Sequence, residues 1–294
     1  MTQILNGKII QNQIIDRLKK EVEGFTLKPT LAIIQVGDMR ESFTYIQHKK
    51  IFAQKIGVNV IHLNFDADVS KEKLVEKIKQ LNNDDKIHGI IIQLPIPKHL
   101  NEHEIIEAIY SSKDVDGLTS TNFKLLASGS SGGFMNATTK GVINLLDYYK
   151  VNLVGQHALV IGRSMLVGKS IALALLNRDA TVTIAHTKTV NIKQLARASD
   201  ILIVAVGRPR FINDQYVHPG QVVIDIGTNF ENPKSKEKSS NEHQKQILSG
   251  DVDFEKVKEI VCAISPVPGG VGPMTVASLF ENLIMAYKKI IDIL

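Results

Sequence analysis

Tyr45 and Lys49 stand four residues apart in a helix-periodic stretch, so both fall on one face of a helix. An amine beside a phenol can hold or pass a proton for a bound ligand, or the tyrosine can simply cover a lysine stem on a surface helix. Gln93, in Gln93-Leu-Pro-Ile-Pro97, closes an apolar run at the C-terminal end of a strand. Open α/β sheets bind ligands at that end, although the segment also reads as a strand stopped by prolines. Asp114-Val-Asp116-Gly117 offers carboxylates in what is otherwise an ordinary turn.

A second group points to phosphate. Gly162-Arg163-Ser164-Met-Leu-Val-Gly168-Lys-Ser170 follows a strand and opens a helix. Glycines there let the backbone approach a phosphate, and the helix N-terminus attracts the anion. Only Gly162 and Gly168 of the dinucleotide fingerprint G-x-G-x-x-G are glycine, so a tight strand-to-helix turn without a ligand remains the alternative. About twenty residues further on, NAD-binding sheets carry an acidic residue for the ribose. Here that place reads Ala185-His186-Thr187-Lys188. With no carboxylate, and with Arg163, His186, Thr187 and Lys188 available to a 2′-phosphate, NADP is favoured over NAD. His99-Leu-Asn-Glu102-His103 has the form of the inverted zinc-protease pattern, but it follows Pro97 at a helix start with no third ligand in view, so no metal site is expected.

Positioning these residues takes two alternating series of helices and strands. In the first, Ile10, Ile14, Leu18 and Val22 recur at helical spacing, and strands are expected at 30–36, 58–63 and 87–94. Between them fall a helix from about residue 41 to Gly57 and one capped by Ser70 and buried through Leu74, Ile78 and Leu81. Three consecutive isoleucines, Ile90 to Ile92, suit a parallel sheet covered on both faces. The pattern loosens over 111–136, where Ser128-Gly-Ser-Ser-Gly-Gly133 can serve as a domain junction. After a helix over 140–149, strands at 158–161, 181–185, 201–206, 222–226 and 260–264 alternate with helices at 167–177 and 192–198, a doubly wound sheet. The polar run 231–246 reads as a solvated loop with no chemistry of its own. Ser265-Pro-Val-Pro268-Gly269-Gly270-Val-Gly-Pro-Met-Thr275 packs three prolines and three glycines into eleven residues, a stiff loop that can present backbone groups to a ligand or form an elaborate turn.

Composition narrows the class. With 294 residues and 44% apolar content the chain can bury a large core in about two domains. No stretch reaches the length of a membrane span and the N-terminus lacks a signal-peptide core, so a cytoplasmic protein is expected. The net charge of +5 comes from 35 basic residues interspersed with 30 acidic ones, which argues for a mixed surface and against nucleic acid. The single cysteine, Cys262, excludes internal disulfides and reads as a small buried hydrophobe.

Taken together, Tyr45-x-x-x-Lys49, Gln93-Leu-Pro-Ile-Pro97, Lys113-Asp-Val-Asp-Gly117, Gly162-Arg-Ser and Pro266-Val-Pro-Gly-Gly-Val-Gly-Pro-Met-Thr275 resemble the bifunctional methylenetetrahydrofolate dehydrogenase/cyclohydrolase family, in order and over nearly the whole chain. The resemblance implies NADP-dependent oxidation of 5,10-methylenetetrahydrofolate to the methenyl form, then hydrolysis to 10-formyltetrahydrofolate. The implied fold is α/β: a folate-binding catalytic domain over 1–120 completed by the helix 273–294, and a Rossmann-like NADP-binding domain over 121–272, with a cleft between them. The implied partners are tetrahydrofolate derivatives, with or without a polyglutamate tail, and a second copy in a homodimer. Catalysis and substrate binding would fall to Lys49, Tyr45, Gln93 and Asp116, with Pro268, Gly269 and Gly270 lining the folate site; Gly162, Arg163, Ser164, Gly168, His186, Thr187 and Thr228 would hold the cofactor. The chain departs from the usual family pattern at 136–139, at Met165, Ser170 and Thr228, and in the length of 231–246. Those departures leave two other readings open, a cyclohydrolase with weak or lost dehydrogenase activity and a noncatalytic folate or dinucleotide sensor.

Overall fold

Alternation of apolar strands with amphipathic helices sets the order of elements in the structure, a computed structural model that describes residues 1–38, 40–231 and 247–291. The chain opens with β1 (Gln3–Ile4) and α1 (Gly7–Glu23), then runs through β2 (Thr30–Val36), α2 (Arg40–Ile56), β3 (Asn59–Phe65), α3 (Lys71–Asn82), β4 (Gly89–Ile92) and α4 (Glu102–Glu107). The helices α5 (Ser120–Ala127) and α6 (Ala137–Tyr148) lead to the second series. It comprises β5 (His157–Ile161), α7 (Ser170–Leu176), β6 (Thr181–Ala185), α8 (Ile192–Arg197), β7 (Ile201–Val204), β8 (Val222–Asp225), β9 (Asn229–Glu231), β10 (Ile247–Ser249), α9 (Phe254–Val257), β11 (Ala263–Ile264) and α10 (Val271–Ile291).

The chain divides into two compact units, Gln11–Gly141 with Thr275–Leu294, and Met1–Ile10 with Val142–Met274. The first contains a parallel three-stranded sheet in the order β3-β2-β4. All seven residues of the central β2 are buried, which is why it reads as an unbroken apolar run, while the edge strand β3 alternates in exposure. Ser70 caps α3 by accepting the Lys73 N–H at 3.3 Å, and Leu74, Ile78 and Leu81 pack with Ile34, Ile90 and Ile92. From Thr275 onward α10 adds to this core, with Phe280 stacked on Phe52 at 4.9 Å.

The second unit is built on six parallel strands in the order β1-β11-β8-β7-β5-β6. From β5 the chain passes to β6 on one side and then crosses to β7 on the other, so the strand order reverses between β5 and β7. In the three-stranded sheet the same reversal falls between β2 and β4.

Several sequence expectations need correction. The two-residue β1 is too short to carry a periodic signal, yet it extends the six-stranded sheet, with Leu5 N–H donating to Ile264 O at 2.8 Å. The expected strand over 260–264 shortens to β11, and Cys262, just before it, is exposed rather than buried. Its thiol donates to Gly220 O at 3.0 Å. By compactness the three-stranded unit runs on to Gly141, and buried Asn122 and Asn136 tie this stretch to Asp114 and Asp116. Of the polar run, Glu231 ends β9, which pairs with β10 in an antiparallel ribbon; 232–246 lie outside the described residues. Among the described residues no helix is long and apolar enough to cross a membrane.

Candidate active site

In the three-stranded unit the site begins with an apolar stripe that carries one charge. Ile46, Ala53 and Ile56 of α2 are buried, and Lys49 occupies the same stripe. A lysine held against a core loses hydration of its ammonium, and desolvation accordingly holds Lys49 below the usual lysine pKa, while the charge of Asp116 pulls it back up. Its Nζ donates to Gln93 Oε1 at 2.9 Å. Gln93 is buried directly after β4, its main-chain N–H given to Ile34 O at 2.8 Å and its amide nitrogen to Leu94 O at 2.9 Å. Those two bonds fix the amide so that its oxygen faces the lysine. Tyr45 lies half-buried one turn before Lys49 on the same helix.

Asp116 reaches this position because residues 113–115 run beside β4: Ile90 N–H donates to Lys113 O at 2.7 Å, and Ile90 and Asp114 form a parallel bridge. Gly117 then turns with φ +69°, where a Cβ would lie 2.6 Å from Phe134 O. Burial raises the Asp116 pKa, the Lys49 charge lowers it, and Asp114 adds a smaller upward push. Lys49 and Asp116 are thus both driven toward their neutral forms by desolvation and toward their charged forms by each other. Lys49, Gln93 and Asp116 are brought together at the reversal point of the sheet.

In the six-stranded unit the candidate site is made of main chain. Gly162 follows β5 with φ +132°, and a Cβ there would stand 2.3 Å from Ala205 O. Gly168 packs on the same turn, its Cβ position 2.1 Å from Gly162 O. The helix expected from residue 167 begins earlier, with a π-helical turn Met165–Lys169 that Ser164 caps by accepting Val167 N–H at 3.3 Å. The buried Ser170 hydroxyl donates to Met165 O at 2.7 Å and closes the turn. Gly162 N–H donates to Ala185 O at 2.9 Å, so the glycine turn and His186-Thr187-Lys188 share one corner of the sheet. There His186 Nδ1 accepts Lys188 N–H at 3.1 Å, leaving Thr187 and Lys188 exposed. Arg163 and Ser164 are exposed beside them. Thr228, also exposed, follows β8, separated from β5 by β7.

Other loops of this edge are held by two carboxylates that sequence reasoning did not single out. Asp251 accepts N–H groups of Val206 at 2.6 Å, Gly207 at 2.9 Å and Arg208 at 2.8 Å. Asp225 accepts those of Gly227 at 2.9 Å, Asp251 at 3.0 Å and Val252 at 2.9 Å, yet burial pushes its pKa up to about 7 against these bonds. An aspartate ending an apolar strand, as in Asp225-Ile-Gly227, was the available signal. Asp225 N–H also donates to Ser265 Oγ at 2.8 Å, anchoring the proline- and glycine-rich loop. In that loop Gly270 N–H donates to Pro266 O at 2.8 Å and Gly7 N–H to Gly269 O at 2.9 Å; Gly269 and Gly270 are buried and Pro268 is exposed. His99 and His103 do not form a metal cluster: His99 Nε2 meets Val69 O at 3.0 Å and His103 faces Glu107 at 3.9 Å.

A doubly wound sheet with a glycine turn at its reversal point, in a chain whose other unit half-buries a lysine whose pKa is set by desolvation and by an aspartate, defines an α/β protein of the dinucleotide-binding enzyme class. Comparison with known proteins makes this specific. The catalytic domain of tetrahydrofolate dehydrogenase/cyclohydrolase matches residues 5–116, and the NAD(P)-binding domain of the same enzymes matches residues 136–291. The chain belongs to the tetrahydrofolate dehydrogenase/cyclohydrolase family. It is 42% identical to the bifunctional protein FolD of Lactobacillus gasseri over 98% of its own length and 99% of that protein's. Among solved structures it resembles the bifunctional methylenetetrahydrofolate dehydrogenase/cyclohydrolase of Campylobacter jejuni (36% identity, TM-score 0.90, covering 98% and 99% of the two chains). The Trypanosoma brucei enzyme, solved with NADP cofactor and an inhibitor, is similar at 31% identity and TM-score 0.91, with 98% of each chain covered.

Proposed function

We propose that this protein is a bifunctional enzyme that oxidises 5,10-methylenetetrahydrofolate with NADP⁺ and hydrolyses the methenyl product to 10-formyltetrahydrofolate. The observation that carries the reading is the half-buried Lys49, its pKa lowered by desolvation and its Nζ held 2.9 Å from Gln93 Oε1, in a chain that both family domains cover.

The residues of the three-stranded unit supply the hydrolytic chemistry. Lowering its pKa gives Lys49 a larger neutral fraction near pH 7, so the amine accepts a proton from the water that attacks the methenyl carbon. As the carbon–N5 bond breaks, the formyl group stays on N10, and the net reaction releases one proton. Gln93 orients the amine without adding charge. The Asp116 carboxylate accepts paired N–H groups from the aminopyrimidinone edge of the pterin, and the Tyr45 ring stacks on the aminobenzoyl group. Pro268, Gly269 and Gly270 line the folate site with a rigid backbone.

The donor set at the corner of β5 and β6 fits NADP: glycines where the main chain closes on itself, a helix start after them, and exposed Arg163, Thr187 and Lys188 with His186 in place of an acidic residue. Gly162, Ser164 and Gly168 would hold the pyrophosphate, and Thr228, two strands away after β8, would meet another part of the cofactor. Bound NADP⁺ supplies the hydride acceptor that turns the methylene bridge into the methenyl cation.

A cytoplasmic homodimer completes the proposal. The outer edge of β6, with Ile184 exposed, supports pairing through the six-stranded unit. Sedimentation at micromolar concentration giving a monomer would refute that part. For the activity, absorbance is followed at the NADPH and methenyltetrahydrofolate bands with methylenetetrahydrofolate and NADP⁺ or NAD⁺, and separately with methenyltetrahydrofolate alone. Reduction of NADP⁺ together with accelerated methenyl loss is expected. Hydrolysis without reduction would reduce the proposal to a cyclohydrolase, and a folded protein silent in both would overturn it.

A further inference from the structure

Asp116 lies on a turn, where a free carboxylate could swing through a wide arc, yet its main chain is held from two sides by buried asparagines. Asn136 is 5% exposed and Asn282 fully buried. Asn136 Nδ2 donates to Asp116 O at 3.2 Å while its Oδ1 accepts Thr139 N–H at 3.1 Å, so one side chain caps α6 and clamps the aspartate's own carbonyl. Ala137 N–H donates to the same carbonyl at 3.2 Å. One residue earlier, Asn282 Nδ2 donates to Val115 O at 2.9 Å and to Met135 O at 2.9 Å, lacing the 115 and 135 strands of chain together. Its Oδ1 in turn accepts from Lys140 Nζ at 3.0 Å, beside Glu281. Between the clamps, Gly117 packs so tightly on Phe134 and Asn136 that a side chain has no room.

We infer that Asn136 is a positioning residue for folate binding, fixing the direction of the Asp116 carboxylate through its main-chain carbonyl. The inference rests on the proposed function, since it takes Asp116 as the group that meets the pterin. The side-chain bonds of Asn136 go to Asp116 O and to Thr139, so it acts through Asp116. Capping α6 and clamping Asp116 use different atoms of the one amide, so the two roles can be separated. Asn136→Ser keeps an oxygen that caps a helix but has no amide to give to Asp116. Asn136→Asp also keeps the cap and sets a carboxylate oxygen against the carbonyl.

The experiment measures KM for methylenetetrahydrofolate and for NADP⁺, with kcat, in wild type and both variants, alongside thermal melting. The expected result is a rise in folate KM of about three- to tenfold for Asn136→Ser and a larger rise for Asn136→Asp, with NADP⁺ KM held and kcat near wild type at saturating folate. A merely structural role would lower kcat with the folded fraction and leave folate KM alone. Wild-type folate KM in both variants, or a loss confined to kcat, overturns the inference. Wild-type protein that turns over neither folate sinks the functional assignment itself, and this inference with it; active wild type with unmoved variants sinks the role of Asn136 alone.

Discussion

At the reversal point of the three-stranded sheet the groups that meet are side chains, Lys49, Gln93 and Asp116, whereas at the reversal point of the six-stranded sheet two glycines bring main chain against main chain. The first place depends on what the residues carry, and the second on what they lack. A desolvated, half-buried lysine has its proton affinity set by neighbours, so its chemistry changes when a neighbour changes. Gly162 and Gly168 act by leaving space, so nearly any substitution fails there while the exposed residues around them can vary at small cost. Activation of a proton transfer needs desolvated charge, and capture of a phosphate needs only oriented N–H groups and a mobile cation or two.

The largest effect that tests this contrast is Lys49→Met. Cyclohydrolase activity is expected to fall by a factor on the order of 10² to 10⁴, with circular dichroism and NADP⁺ affinity held. Full hydrolysis by the folded variant would mean that the side-chain site lies elsewhere. Next comes Gly168→Ala, whose Cβ would stand 2.1 Å from Gly162 O. The turn must open to admit it, at a cost of about 2–4 kcal/mol in stability, and NADP⁺ affinity is expected to drop while hydrolysis of supplied methenyltetrahydrofolate survives. Equal loss of both activities would erase the distinction between the two sites.

Asp116→Asn sharpens the electrostatic side. The Asp116 charge raises the Lys49 pKa, so its removal lets desolvation act unopposed and lowers that pKa further. Activity that needs the neutral amine rises with pH through the lysine pKa; its ascending limb is therefore expected to move to lower pH, whatever happens to folate KM. A limb that stays in place, or moves up, would show that Lys49 does not feel this carboxylate. The smallest effect belongs to an exposed group. Lys188→Ala is expected to reduce the preference for NADP⁺ over NAD⁺ by about three- to tenfold, read as the ratio of kcat/KM values. An unchanged ratio would assign 2′-phosphate recognition to Arg163 and His186.

Much of the frame was legible because it obeys short-range rules. Apolar runs marked β2 and β4, helical spacing marked α1 and α3, and Ser70 announced its own cap. Legibility failed where a segment owes its state to distant contacts. The two residues of β1 become a strand only through β11, and Cys262 sits exposed although its neighbours are apolar. The start of α7 was misplaced because a π-helical turn, closed by the Ser170 hydroxyl, precedes it. In sequence Asn136 stands out only as part of the departure from the family pattern at 136–139, with nothing to indicate that its amide reaches back twenty residues to Asp116.

By itself the sequence determined the chemistry available: a lysine four residues after a tyrosine, a glutamine at a strand end, an aspartate before a glycine, and basic groups where a ribose-binding carboxylate is absent. Side-chain identity and local periodicity are written residue by residue, so they survive without coordinates. Only the tertiary structure decided the proton affinity of Lys49, the rise of the Asp225 pKa to about 7, and the two asparagine clamps around Asp116. Desolvation and hydrogen-bond geometry depend on groups that are distant along the chain and adjacent in space, and no spacing rule in one dimension encodes them.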